Sequence, residues 1–229
     1  MLKQTWYEIR QPLFIKQMVW VAAFWVFTIV IILLNIEFLK THYPNPARPD
    51  DLLLDIFPEN KDFIFIGDVL SALQVMTVFF VFLVWQNGMK HFPRLFFLLA
   101  LMYLIRAFSF NLTPLAQIQP PSENFPEQHI IAQTFYHGMY FSGHTASAFI
   151  QAMFFRGYKY QWVIFVLATG QAISLILSHS HYSIDVHGGL FVAYFVAHFD
   201  WMRLVPRGLR NVPWMPWYDP QSTTASQVA

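Results

Sequence analysis

The chain has 229 residues, of which 56% are hydrophobic and only 12% are charged, and its net charge is +1. Soluble domains carry about 25% charged residues, so this composition indicates an integral membrane protein. The sequence has no basic run, which predicts no nucleic-acid partner, and its lack of cysteine excludes disulfides.

Residues 1–16 mix aromatic and charged side chains and predict a short amphipathic helix on the membrane surface. Six apolar segments follow, too long and too uniformly apolar for barrel strands. Because only helices or closed barrels satisfy the backbone in lipid, we predict one all-α membrane domain over residues 17–205. Its six transmembrane helices are expected in segments 18–34, 63–85, 95–110, 144–155, 162–177 and 186–204.

The fourth segment and the C-terminal residues need separate treatment. The fourth segment reaches a spanning length only if its helix begins near Phe135. Residues 206–229 are predicted to form a cytoplasmic tail, with Trp214, Trp217 and Tyr218 at the membrane interface and disorder from Gln221 onward.

The positions of the basic residues predict the orientation. With six crossings, the side that holds both termini carries ten lysines and arginines, and the other side carries four. The positive-inside rule then places both termini in the cytoplasm. The connections between helices 1 and 2, 3 and 4, and 5 and 6 face the periplasm or a lumen.

Five polar groups fall at a similar depth near that non-cytoplasmic side: Asp68, Arg106, His144, His181 and Asp185. Ionisable groups within a membrane are costly and therefore indicate function. His181 and Asp185 are four residues apart, so on a helix they share a face, and the carboxylate orients the imidazole as a base or nucleophile.

The remaining groups suit an anionic substrate. His144 lies on another helix, from which it could protonate a leaving group. Arg106 could hold a phosphoryl oxygen, and the helix N-terminus near Ser142 and Gly143 offers free N–H groups to the same anion. The competing interpretations are structural roles for single histidines, an Arg106 that extends to the interface, a locally paired Asp68, and a metal site of His179, His181 and Asp185.

At these residues the sequence resembles the sphingomyelin synthase family, a branch of the type 2 phosphatidic acid phosphatase superfamily. "FSGHT" (141–145) is similar to its third motif and "HYSIDV" (181–186) to its fourth. "RLFFLLALMYLIRAFSFNLTPL" (94–115) is similar to the second, and "LLLDIFP" (52–58) more loosely to the first. The resemblance covers about residues 45 to 205. It departs at His137 and Gly138, where synthases commonly have Gly-Asp.

The resemblance implies a six-helix enzyme that works without a metal or other cofactor and transfers a phospho-headgroup between membrane lipids. The donor would be a glycerophospholipid and the acceptor a ceramide or diacylglycerol-type lipid. His181 would become phosphorylated, Asp185 would orient it, and His144 would serve as acid and then base. Arg106, Asp68, Ser142, Gly143 and Tyr182 would bind substrate.

Two other functions stay open at this point. Lipid phosphatases of the same superfamily use Lys-x6-Arg-Pro and Ser-Arg-x5-His-x3-Asp elements. Here Leu99, Ala107 and Leu175 stand at the lysine, proline and second arginine positions. A phosphomonoester carries about −1.5 to −2 charges at pH 7, so a site with one arginine suits a singly charged phosphodiester better. Water as acceptor would give a phospholipase C-like hydrolase, and a lipid transporter without chemistry is the third possibility.

Overall fold

A computed structural model describes residues 2–116, 118, 140–201 and 212. These residues are mainly helical, and the one β-bridge among them joins Ala47 to Leu115. In this described part, the α-helices are α1 Leu2–Ile9, α2 Pro12–His42, α3 Leu52–Ile56, α4 Asp62–Thr77, α5 Phe92–Leu112, α6 Gly143–Phe154, α7 Gln161–Leu177 and α8 Ser183–His198. A π-helical segment, Val78–Trp85, continues α4, and a 3-10 turn, Met89–His91, precedes α5.

Each of the six predicted apolar segments contains a described helix, but six membrane spans are not confirmed. The last of these helices ends at His198, short of the predicted end at Leu204, and residues 202–204 lie outside the described part of the chain. Within the described residues, three helical stretches are long and apolar enough to cross a membrane: Pro12–His42, Asp62–Trp85 and Met89–Leu112. The helices α6, α7 and α8 have 12, 17 and 16 residues. At 1.5 Å per residue they measure about 18 to 26 Å, which is less than the hydrocarbon thickness of about 30 Å.

The N-terminal boundary differs from the prediction for residues 1–16. α1 ends at Ile9, and α2 already begins at Pro12, so the predicted surface segment contains the first turn of the longest helix. Proline favours the first helical position because its fixed φ suits the helix and its missing N–H would have no intrahelical partner there. α1 contacts the Met89–His91 turn.

The fourth predicted segment begins later than a spanning helix requires. Tyr140 to Ser142 are not helical, and α6 begins at Gly143 with Ser142 as its N-cap. The Ser142 hydroxyl accepts a hydrogen bond from the Thr145 N–H at 3.3 Å. Phe135, His137 and Gly138 lie outside the described residues, as does most of the predicted tail at 206–229.

Close contacts join the helices in pairs. Asn35 of α2 donates to the Ala107 carbonyl of α5 at 3.1 Å and accepts from the Asn111 amide at 2.7 Å. α4 and α7 meet at two glycines, because a Cβ at Gly67 would lie 3.4 Å from Ser174 Cβ and one at Gly170 would lie 3.1 Å from the Leu70 side chain.

The connection between α2 and α4, residues 43–61, is called the α3 loop because it contains α3. It contacts the chain just after α5, where the Ala116 N–H donates to the Ala47 carbonyl at 2.9 Å. It also contacts the end of α7, where the Asn60 N–H donates to the Leu177 carbonyl at 3.0 Å. The ends of α2, α5 and α7 and the starts of α4, α6 and α8 therefore lie at one end of the bundle, the α3 end.

Candidate active site

His181 and Asp185 form a buried pair at the α3 end of the bundle. His181 is 3% exposed and Asp185 is 0% exposed, so water screens their interaction little. His181 Nδ1 donates to Asp185 Oδ2 at 3.4 Å. This is long for a hydrogen bond, as is common in catalytic pairs before substrate binds. Asp185 Oδ1 is buried and takes no hydrogen bond from any described residue.

The two residues do not share a helix face as predicted, because His181 precedes the start of α8 at Ser183. It sits in the Ser178–Tyr182 turn, where His179 has a φ of +52° and the N–H groups of Ser180 and His181 both donate to the Leu175 carbonyl. Asp185 is the third residue of α8, and its Oδ2 accepts the Tyr182 N–H at 3.2 Å. One carboxylate oxygen therefore caps the helix and faces the imidazole.

His144 faces this pair from the first turn of α6. The two imidazole rings have centroids 6.2 Å apart and planes inclined by 65°. His144 is exposed, whereas His181 is buried. An in-line transfer needs about 3–3.5 Å from nucleophile to phosphorus and a hydrogen bond of about 2.5–3.2 Å at the leaving oxygen. A centroid separation of 6.2 Å brings both rings within reach of one phosphoryl group bound beside them.

The Arg106 guanidinium lies against the start of α6. Arg106 is 6% exposed, its Nε donates to the Phe141 carbonyl at 2.8 Å, and its charge interacts with Asp185. A Cβ at Gly143 would lie 3.2 Å from a terminal nitrogen of Arg106. No described acceptor takes the Gly143 and His144 N–H groups. A guanidinium beside a helix N-terminus suits an anion.

The starts of α6 and α8 are in direct backbone contact. The Ser142 N–H donates to the Asp185 carbonyl at 2.9 Å. A Cβ at Gly189 would lie 2.8 Å from the Ser142 carbonyl oxygen and 3.2 Å from the Ala146 nitrogen. Close packing at a glycine therefore fixes His144 on α6 relative to Asp185 on α8.

The other predicted substrate-binding residues differ in their placement. Tyr182 is 3% exposed and packs against Leu115 and Tyr140 beside the pair. Asp68 has an exposed side chain on α4, and no hydrogen bond or ion pair joins it to a described site residue. The structure brings together Arg106, Ser142, Gly143, His144, His181, Tyr182 and Asp185, and no described hydrogen bond or ion pair joins Asp68 to them.

The alternative metal site does not assemble among the described residues. His179 Nε2 donates to the Phe57 carbonyl at 2.8 Å, so its ring is held by the α3 loop. Within the described part of the chain, no three histidine, aspartate or glutamate side chains gather in a way that could hold a metal ion.

Sequence reasoning missed Asp51. Its Oδ2 accepts the Ser183 N–H at 2.6 Å. Ser183 lies two residues from His181 and two residues from Asp185. Its Oδ1 caps α3 by accepting the Leu53 N–H at 3.0 Å. The local signal was an aspartate directly before a short apolar run, which predicts a helix cap but not a partner 132 residues away.

Comparison with known families supports the coarser part of the resemblance. Residues 139–202 match the family described as PAP2 superfamily C-terminal, where PAP2 denotes type 2 phosphatidic acid phosphatase. The matched stretch contains His144, His181 and Asp185 and leaves out Arg106 and Asp68. It supports a PAP2-like membrane protein and does not single out the sphingomyelin synthase family. No curated protein matches the chain.

Proposed function

We propose that the chain is a lipid phosphotransferase that moves a phospho-headgroup from a glycerophospholipid to a lipid hydroxyl, such as that of ceramide or diacylglycerol. His181 Nε2 attacks phosphorus and forms a phosphohistidine, while the bond from phosphorus to the diacylglycerol oxygen breaks. His144 gives that oxygen a proton. In the second half-reaction, His144 takes the proton of the incoming hydroxyl. The oxygen of that hydroxyl then displaces His181 from phosphorus.

The asymmetry of the two histidines is the observation that carries this proposal. His181 is buried and its Nδ1 faces the Asp185 carboxylate, which leaves Nε2 with its lone pair for attack. His144 is exposed, and no described carboxylate contacts its ring. An oriented imidazole suits the nucleophile, whereas an accessible one suits proton exchange with substrate.

The charges favour a phosphodiester substrate. Arg106 is the arginine beside the start of α6, and Leu175 stands where related phosphatases have a second arginine. A phosphodiester carries one negative charge, whereas a phosphomonoester carries about −1.5 to −2 at pH 7. The match to the PAP2 superfamily supports phosphoester chemistry in general, and the diester preference rests on this charge argument.

Hydrolysis is the second candidate, because the exposure of His144 also admits water. The same phosphohistidine would then pass its headgroup to water, with His144 as the base. The two reactions share their first half and differ only in the acceptor. They are therefore distinguished by their products.

Lipid mass spectrometry of membranes that contain the chain tests the proposal. The membranes receive ceramide and glycerophospholipids of mixed headgroups, with His181→Ala as the matched control. We expect a new phosphosphingolipid and an equal amount of diacylglycerol, both absent with the variant. Diacylglycerol with free phospho-headgroup would instead establish hydrolysis. No product with either chain would contradict an enzymatic function on these lipids.

A further inference from the structure

The α3 loop holds the turn that carries His181 through three hydrogen bonds. Asp51 accepts the Ser183 N–H at 2.6 Å, and the Asn60 N–H donates to the Leu177 carbonyl at 3.0 Å. The third bond runs from His179 Nε2 to the Phe57 carbonyl at 2.8 Å. A loop that lies more than a hundred residues earlier in the chain therefore supports both sides of the turn.

Of these three bonds, the one made by Asp51 involves a side-chain carboxylate, and its donor, Ser183, lies midway in sequence between His181 and Asp185. Ser183 is the first residue of α8, where the N–H groups have no intrahelical acceptor. A carboxylate there satisfies one of them and interacts favourably with the helix dipole. Its other oxygen accepts the Leu53 N–H at the start of α3. Asp51 thus joins two helix starts with one side chain.

The His181–Asp185 pair is sensitive to this support. The two residues lie on opposite sides of the boundary between the turn and α8, and their 3.4 Å separation is at the long limit of a hydrogen bond. A displacement of the first turn of α8 by a few tenths of an ångström away from His181 would break the bond. Ser183 lies between the two residues, so its anchor controls that displacement.

We propose that Asp51 is a positioning residue for the His181–Asp185 pair. Its carboxylate fixes the first turn of α8, so that Asp185 stays within hydrogen-bonding distance of His181. Asp51 itself touches no reacting atom. The kinetic part of this inference rests on the proposed function, whereas the structural part does not.

Asp51→Ala and Asp51→Asn test the role, with Asp50→Ala as the matched control. Asp50 is adjacent, equally charged and exposed, whereas Asp51 is partly buried. Asparagine keeps the size of Asp51 but has one acceptor oxygen for two N–H donors. Asp51→Glu keeps both acceptors and the charge on a longer side chain, and it is expected to restore part of the activity.

The first measurement is amide hydrogen exchange over residues 178–186, which needs no substrate. We expect faster exchange in Asp51→Ala than in the wild type, unchanged exchange in Asp50→Ala, and unchanged exchange in α2 and α5 of all variants. Wild-type exchange over 178–186 in Asp51→Ala would overturn the proposal. Faster exchange throughout the chain would indicate general destabilisation and would also overturn it.

The second measurement separates kcat from KM for the phospholipid donor. We expect Asp51→Ala to lower kcat about 10- to 100-fold, the loss that corresponds to one hydrogen bond to a charged group. KM should be nearly unchanged, because Asp51 does not bind substrate. A raised KM with wild-type kcat would overturn the positioning role. An inactive wild-type chain would contradict the proposed function instead, and the exchange measurement would then decide on Asp51 alone.

Discussion

His144 and His181 have the same side chain but different surroundings, and the proposed mechanism depends on that difference. His181 is buried and is oriented by the Asp185 carboxylate, whereas His144 is exposed at the start of a helix. Beside them, Arg106 and the start of α6 present positive charge and N–H groups. One nucleophile, one proton carrier and one anion site can therefore act on a single phosphoryl group.

Gly143→Ala tests the anion site without touching a proposed catalytic side chain. The new Cβ would lie 3.2 Å from a terminal nitrogen of Arg106, so the guanidinium must shift away from the start of α6. A hydrogen bond to a charged group contributes about 1.5–3 kcal/mol, so we expect kcat/KM for a lipid phosphodiester to fall about 10- to 100-fold. Unchanged kcat/KM in a folded variant would remove Arg106 from substrate binding.

Short spacings in the sequence predicted some residue-scale features and missed others. The i, i+4 spacing of His181 and Asp185 indicated that they would lie together, although the contact crosses the start of α8 and does not follow a helix face. Asp68 could not be oriented, because apolar residues occur on every side of α4 and give no sign of which face is buried. The contact of Asp51 with Ser183 depends on tertiary packing, for which the sequence holds no local signal.

At the scale of elements, the site depends on helices that start deep in the structure. α6 has 12 residues and α8 has 16, and the non-helical turns before them supply Ser142 and His181. Irregular backbone within a membrane is tolerated where protein buries it, and Phe141, Ser142 and Tyr182 are all buried. Hydropathy predicted helices in both segments, and the predicted starts at residues 144 and 186 lie close to the observed starts at Gly143 and Ser183. It holds no information on the burial of the turns before them, which depends on tertiary packing.

Gly189→Ala tests the contact between α6 and α8. A Cβ there would lie 2.8 Å from the Ser142 carbonyl oxygen, a backbone atom that cannot move alone. Overpacking costs about 1–3 kcal/mol, and a chain of this size loses about 2–4 °C of melting temperature per kcal/mol. We expect a lower melting temperature in detergent and a loss of activity.

Gly67→Ala is the matched control for that variant, because its Cβ would make an ordinary contact of 3.4 Å with Ser174 Cβ. It should keep the wild-type melting temperature and activity. Equal melting temperatures for Gly189→Ala and the wild type would show that the two helices have room to separate. In that case the glycine would not be what fixes His144 relative to Asp185.

At the scale of the whole molecule, the site lies at the α3 end and α1 lies at the other end. The turn after the π-helical segment and the turn before α7 meet at that second end, where Gln86 Nε2 donates to the Lys159 carbonyl at 2.8 Å. The apolar helices and the PAP2 match support an integral membrane protein. Which end faces the cytoplasm stays a prediction from the basic residues.

Single cysteines test that orientation, because the natural chain contains none. Asn45→Cys places an exposed thiol in the α3 loop, and Arg156→Cys places one at the opposite end. With cytoplasmic termini, a membrane-impermeant maleimide should label Asn45→Cys in intact cells and Arg156→Cys only after the membrane is opened. The reverse pattern would place the site on the cytoplasmic side and contradict the positive-inside argument.

The proposed mechanism makes His181 the nucleophile and His144 the proton donor, and an activated donor separates these two roles. A nitrophenyl phosphodiester has a leaving group that needs no proton, so only the nucleophile is required for the first half-reaction. The measurement is the amount of phosphoenzyme trapped from this donor in the His181→Ala, His144→Ala and Asp185→Asn variants.

We expect no phosphoenzyme in His181→Ala, substantial phosphoenzyme in His144→Ala, and an intermediate amount in Asp185→Asn, which keeps the nucleophile but disturbs its tautomer. With a natural phospholipid, whose leaving oxygen needs a proton, both histidine variants should be inactive. Phosphoenzyme that persists in His181→Ala and disappears in His144→Ala would reverse the two roles and contradict His181 as the nucleophile.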